Sequence, residues 1–328
     1  MRTSDLKHVV ISRTDGIGDA VLTLPVAGAL KQLVPGVRIT FLGRSYTRAV
    51  AEACAHVDAF ANWDDAASLS PAAQADFLRA LKADALIHAF PRKEVVVAAK
   101  AAAIPLTVGT ARRWHSLLRV THRTWFSRKN SKLHEAALNL KLLEPLNLHP
   151  SLDPLVFGGW MGMRTPNALT PEARNFLVHP KTLLLHPLSH GSAVEWPVER
   201  FADLASRMSD AGWSVGITAT AAERERLGDH LPWERVTDFG GKLTLEQLMA
   251  LIGNSTALVA GSTGPLHLAA ALGIHAVGLY APVRPIFATR WMPIGAHAHF
   301  IEANQVPVNG VLDISVDQVV DLLNEKVC

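Results

Sequence analysis

The chain has 328 residues, enough for two domains at roughly 150 residues each. Hydrophobic residues make up 49% and charged residues 19%, which excludes disorder as the main state, because disorder needs low hydrophobicity and high net charge. The formal charge is only +3, two cysteines (Cys54 and Cys328) cannot build a disulfide framework or a CxxC metal site, and no window holds 18 uninterrupted apolar residues, so disulfide-stapled and membrane-spanning classes drop out as well.

The opening segment, MRTSDLKHVVIS, has no apolar core followed by a small-residue cleavage site, so a soluble, cytoplasmic chain is expected. A buried strand is predicted at 7–12, a helix at 19–33 ending before Pro35-Gly36, and a strand at 37–42. Next come a helix at 71–83, a strand at 85–89 and a helix from 94 towards 103. Strands that read as near-continuous apolar runs, alternating with amphipathic helices, indicate a parallel sheet covered on both faces. The alternation pauses between about 150 and 180, a Pro- and Gly-rich stretch that reads as an interdomain connection. It restarts with a strand at 182–186, a helix at 198–211, a strand at 213–218 and a helix at 221–228. A helix at 243–252, a strand at 257–260, a helix from 264, a strand at 275–280 and a last helix at 315–326 complete it. The expectation is α/β: two Rossmann-like, doubly wound domains, 1–165 and 166–328, facing a central cleft.

Between 112 and 132 the chain carries seven Lys/Arg (Arg112, Arg113, Arg119, Arg123, Arg128, Lys129, Lys132), interleaved with Trp114, Trp125 and Phe126, and no acid. Such a block is either a solvated surface loop or a dock for an anionic partner, and composition alone does not choose.

Two glycine turns follow strands and open helices, with opposite electrostatics. Arg13-Thr14-Asp15-Gly16-Ile17-Gly18-Asp19 has a superficial dinucleotide-turn pattern, but Val21 stands where the third glycine belongs and two carboxylates flank the turn. A helix N-terminus attracts anions, yet a diphosphate would be repelled here. The turn suits presentation of a carboxylate: Asp19 either caps its helix or acts as a positioned general base. In Gly261-Ser262-Thr263-Gly264-Pro265-Leu266-His267 there is no acid, and Pro265 suits a first helical position, leaving backbone N–H groups to face an anion. His267 either packs in the core or donates to a phosphate. Ser189 and Ser192, in the Ser/Gly-rich segment after the strand at 182–186, are placed to contact the same ligand.

VVISRTDGIGDAVLTLPVAGALKQLVPGVRITFLGR, SHGSAVEWPVERFADLA, GGKLTLEQLMALI and GSTGPLHLAAALGIHAVGLYAP, with the later Arg290-Trp291-Met292-Pro293, together resemble glycosyltransferase family 9, the ADP-heptose:lipopolysaccharide heptosyltransferase family. The resemblance implies the GT-B fold, with acceptor on the first domain and nucleotide-sugar on the second. It implies Asp19 as catalytic base, Thr263, Gly264 and His267 as donor contacts, and Glu223 as the acid on the nucleotide ribose. Ser189, Ser192, Lys242 and Ser262 complete the expected donor set. Gly16, Gly18, Arg112, Arg113, Arg119 and Arg123 form the expected acceptor set. Two positions depart from the family: Ser262 replaces the usual Asp before Thr-Gly, and Val194, followed by Glu195, replaces a phosphate-binding Lys. Lys242 or an arginine of the basic block is the candidate substitute. No cofactor, no metal and no nucleic-acid partner are expected. The expected partners are a nucleotide-sugar, ADP-linked by resemblance, and an anionic glycan or glycolipid at the inner membrane face. The rival readings are a GT-B protein that binds a nucleotide-sugar without turnover, a member using a different nucleotide sugar, and a nicotinamide oxidoreductase, which the first turn fits poorly.

Overall fold

The computed structural model describes residues 6–111, 118–128, 130–189, 191, 193–307 and 310–327. The chain forms two compact units, Met1–Arg164 and Thr165–Cys328. In the first, β1 (His8–Ser12), β2 (Arg38–Gly43), β3 (Ala59–Asn62), β4 (Ala85–His88), β5 (Leu106–Thr110) and β6 (His122–Thr124) form a parallel sheet in the order β3-β2-β1-β4-β5-β6. In the second, β7 (Thr182–His186), β8 (Ser214–Ile217), β9 (Thr237–Asp238), β10 (Ala257–Gly261), β11 (His275–Tyr280) and β12 (Ala298–Glu302) repeat the plan in the order β12-β11-β10-β7-β8-β9.

Burial follows the apolar runs. Every residue of β1, β7 and β10 is buried, as a strand covered on both faces requires. In the second unit Phe201, Leu204, Ala205 and Met208, at helical spacing on Val198–Asp210, pack with Leu183, Leu185, Val277 and Trp196. In the first, Val10, Leu42 and Leu86 of the sheet pack with Leu78, Val95 and Ala99 from the helices Pro71–Ala80 and Lys93–Ala101.

The structure corrects several boundaries. The helix expected at 19–33 is two helices, Ile17–Val21 and Leu24–Leu33, because Pro25 has no N–H to continue the ladder. The Leu22 carbonyl beside the break is taken by Asn139 Nδ2 at 3.0 Å. The strands β3, β5, β6, β9 and β12 are not among those predicted, and β6 lies inside the basic block. The 150–180 stretch holds short helices, Pro154–Phe157 and Pro171–Phe176, whose first turns are capped by the Asp153 and Thr170 side chains.

Each sheet reverses its strand order once, between β1 and β4 in the first unit and between β7 and β10 in the second. In open parallel sheets, ligands bind beyond the carboxyl ends of the strands at such a switch point. Both glycine turns sit at these two places.

Candidate active site

In the first unit β1 runs into the turn 13–16, and Asp19 lies in the first turn of the helix Ile17–Val21. Gly16 has no side chain with which to cap that helix, and Asp19 Oδ1 accepts from the Arg13 guanidinium. Asp19 is therefore held by a side chain across the turn, which separates it from the capping alternative. Its side chain keeps 26% exposure, whereas Arg13 keeps 4%. A Cβ at Gly16 would stand 3.2 Å from Asp19 Oδ2, so glycine there leaves the second carboxylate oxygen open. Gly18, half-buried inside the same helix, accepts Leu22 N–H on its carbonyl.

Arg13 is the hub. Its Nε donates to Asp15 Oδ1 at 2.6 Å, and its Nη1 reaches Glu135 Oε1 at 3.1 Å, Asn139 Oδ1 at 3.4 Å and, across the switch point, the Ala89 carbonyl after β4 at 3.5 Å. Glu135 and Asn139 lie one turn apart on one face of the helix Glu135–Leu140, and both are buried. Arg128 closes the far side, donating to Glu135, to Asn139 Oδ1 at 2.9 Å and to the Ala89 carbonyl at 2.9 Å. The Tyr46 hydroxyl donates to the Asp15 carbonyl at 2.6 Å, and Arg92 holds Thr14 through both its hydroxyl (2.9 Å) and its carbonyl (3.0 Å). Burial pushes the Asp15 carboxyl above the usual carboxylate range, and Asp19 beside it adds to the rise against the pull of Arg13. Burial, with the Asp15 carboxylate second, pushes the Tyr46 phenol upward too.

In the basic block, Arg112 and Arg113 lie outside the described residues. Arg119 is half-buried and Arg123 is exposed on the edge strand β6. Arg128 turns inward to Glu135, so the block is not wholly a solvated loop.

In the second unit, His186 of β7 pairs with Ala260 of β10, and the loops that follow adjoin, with Ala193 Cβ 3.5 Å from where a Cβ on Gly261 would be. The helix Gly264–Ala271 opens with Thr263 at its N-cap and Pro265 in its first turn, and no side chain caps it. Its first N–H groups are thereby left for another acceptor. Thr263 Oγ1 and His267 Nδ1 are both buried without a hydrogen-bond partner. Such orphaned polar atoms are costly, and these two lie in the first turn of an uncapped helix, where a bound anion would satisfy them. Burial lowers His267 to about 4, so it is neutral near pH 7 and offers a neutral ring N–H rather than a charge. Ser262 is buried beside this cap, and its hydroxyl hydrogen-bonds the Tyr280 phenol.

The remaining expected donor residues divide. The N–H and the hydroxyl of Ser189 both donate to Glu195 Oε1, at 2.8 and 3.0 Å, and Arg226 approaches Glu195 Oε2 at 3.3 Å. Ser192 lies outside the described residues. Glu223 is buried at the third position of the helix Ala221–Leu227, where its carboxylate accepts Thr220 N–H in a capping box. Lys242 is exposed and pairs with Glu172 at 3.3 Å. Val194 packs against the hydrophobic core. Sequence reasoning quoted Arg13 and Glu195 without giving them a role and missed Glu135, Asn139, Tyr46 and Arg92. The one available signal was the Glu135/Asn139 pair four residues apart on an otherwise apolar helix. Among the described residues no group of three or more His, Cys, Asp or Glu side chains is placed to hold a metal ion, and no helix is long and apolar enough to cross a membrane.

Two doubly wound parallel sheets, each with a glycine turn at its switch point, are the plan of the GT-B fold. Residues 163–308 match glycosyltransferase family 9 (heptosyltransferase). A Haemophilus influenzae protein provisionally named a glycosyltransferase is 26% identical over 303 residues, 88% of this chain and 86% of its own. Lipooligosaccharide heptosyltransferase 2 of the same organism is 27% identical over 152 residues, 41% and 44% of the two chains. The structure of Escherichia coli ADP-heptose lipopolysaccharide heptosyltransferase II superposes with a TM-score of 0.78 at 18% identity, covering 98% of each chain. The family match thus lies almost wholly within the second unit, while the Haemophilus influenzae relative extends the sequence likeness over most of the chain.

Proposed function

We propose that this protein transfers a sugar, heptose by family, from a nucleotide-sugar donor, ADP-linked by family, to a lipopolysaccharide-core or related glycan, with inversion at the anomeric carbon. The first unit binds the acceptor and the second the donor. Asp19 removes the proton of the acceptor hydroxyl through its open Oδ2 while that oxygen attacks the anomeric carbon from the face opposite the nucleotide. The departing diphosphate is stabilised by the free N–H groups at Gly264 and by Thr263 and His267, without a metal ion. The observation that carries the reading is the pair of orphaned, buried polar atoms, Thr263 Oγ1 and His267 Nδ1, at an uncapped helix N-terminus. The names of the relatives, heptosyltransferases of lipooligosaccharide and lipopolysaccharide, supply the sugar and acceptor class.

Arg119 and Arg123, with Arg112 and Arg113, serve an anionic glycolipid acceptor, which places the protein in the cytoplasm at the inner membrane face. The departures at Ser262 and Val194 favour a second reading of the donor. Glu195 already occupies the Ser189 N–H, and Val194 offers no cation, so a nucleotide sugar other than the ADP-heptose of the relatives would suit the site.

The test is a thermal-shift screen with ADP, UDP, GDP, dTDP and CDP, with magnesium or with a chelator, followed by transfer from the matching sugar nucleotide. Ligand at about 100 times its Kd stabilises the fold by roughly 2.7 kcal/mol, so a selective shift identifies the donor nucleotide. Asp19→Ala should lower transfer by a factor of about 10²–10⁴ while leaving the nucleotide shift intact. Retained transfer would remove Asp19 as base, and five flat responses would turn the reading to a GT-B protein without a working donor site.

A further inference from the structure

The first unit holds more ionic machinery than a single base requires. Arg13 directs one edge of its guanidinium at Asp15 and Asp19 and the other at Glu135, and Glu135 is in turn held by Arg128. Arg13 and Glu135 are almost wholly buried, at 4% and 1% side-chain exposure, whereas Arg128 at 26% lies nearer the surface. Buried charges interact strongly and are poorly screened, so charge removed at one end of this chain is felt at the other.

We propose that Arg128, Glu135 and Arg13 form a charge relay that sets the acidity of the Asp15–Asp19 carboxylate pair, with Glu135 a positioning residue that acts through Arg13. The inference rests on the reading of Asp19 as base and deepens it. Glu135 offsets part of the Arg13 charge, and Arg128 offsets part of the Glu135 charge. The described groups that face the carboxylate pair are Arg13 from its own turn, Glu135 and Arg128 behind it, Tyr46 against the Asp15 carbonyl, and Arg92 against Thr14. Arg128 comes from the same basic block as the arginines assigned above to the acceptor. An anion that draws Arg128 away from Glu135 would therefore alter the carboxylate pair at a distance.

The test follows the Asp15 carboxyl by carbon-13 NMR titration of the full-length protein, the signal being identified by its loss in Asp15→Asn. Arg13→Gln should move the Asp15 titration up by about one pH unit, because an opposite charge has been removed. Arg128→Gln should move it up by less. Glu135→Gln should move it down, and should move it by less on an Arg13→Gln background. An unmoved titration in folded Glu135→Gln or Arg128→Gln overturns the relay, as does a Glu135→Gln effect that is undiminished without Arg13. If the buried variants do not fold, Arg128→Gln, at the exposed end, decides alone.

Kinetics with ADP-heptose and a heptose-free lipopolysaccharide core separate the two readings. Active Asp19→Asn sinks the base assignment whatever the titrations show. Inactive Asp19→Asn with unmoved titrations sinks only the relay. With the relay intact, Arg128→Gln shifts the acid limb of the kcat profile to higher pH and leaves the donor KM unchanged.

Discussion

At the scale of single residues, what separates Asp19 from an ordinary first-turn acid is its partner. A carboxylate at a helix N-terminus gains from the dipole wherever it occurs, but Asp19 spends one oxygen on Arg13 and keeps the other clear beside Gly16. His267 is the opposite case, a titratable group whose burial decides its charge. Its folded value is about 4 against about 6.5 when unfolded, so between those values the unfolded chain binds a proton that the folded one refuses. Stability should fall as pH drops from 6.5 towards 4, by up to about 3 kcal/mol from this residue. Denaturant unfolding across that window should show a shallower slope in His267→Gln, and an unchanged slope would mean that His267 does not hold its neutral state. Both aspects were partly legible in sequence: residue type and position after a glycine turn were visible. Arg13 and Glu135, 122 positions apart, were not visible as a pair, since nothing local requires them to meet.

Among elements, the two kinds of helix start in the second unit are informative. Thr220 and Thr244 each cap a helix with a side-chain hydrogen bond, at Ala221–Leu227 and Leu245–Gly253, and each belongs to a capping box. Thr263 stands at the same kind of position and caps nothing. Thr244→Ala should therefore cost about 1 kcal/mol of stability in chemical denaturation and leave nucleotide binding alone. Thr263→Ala loses no internal hydrogen bond, so it should leave stability within about 0.5 kcal/mol and weaken the nucleotide thermal shift. A stability loss in Thr263→Ala equal to that in Thr244→Ala would show that it is an ordinary cap. The capping signature at Thr220 also explains why Glu223, expected to face a ribose, is engaged in its own helix: Thr-x-x-Glu is the capping-box spacing, and sequence reasoning passed over it. Strand and helix order was legible wherever the apolar runs were long. It failed at β3, β5, β6, β9 and β12, of which β6 and β9, of three and two residues, are held by neighbouring strands and not by their own pattern.

For the whole molecule, the units Met1–Arg164 and Thr165–Cys328 each carry their own sheet and their own buried core. Units of that kind unfold with some independence, and a ligand stabilises the unit that binds it. Calorimetry should resolve two transitions, of which the cognate nucleoside diphosphate raises one and leaves the other in place. A single transition that shifts as a whole would mean that the two cores unfold as one cooperative unit. The amino-acid sequence by itself determined the doubly wound α/β class, the two glycine turns and their opposite charge, and the resemblance to glycosyltransferase family 9, because each is written in residues close together along the chain. Only the tertiary structure decided which carboxylate oxygen is open, which hydroxyl is left without a partner, and that Ser189 is paired with Glu195. Those depend on side chains brought together at the switch points of the sheets, where packing and strand order, and not local pattern, set the neighbours.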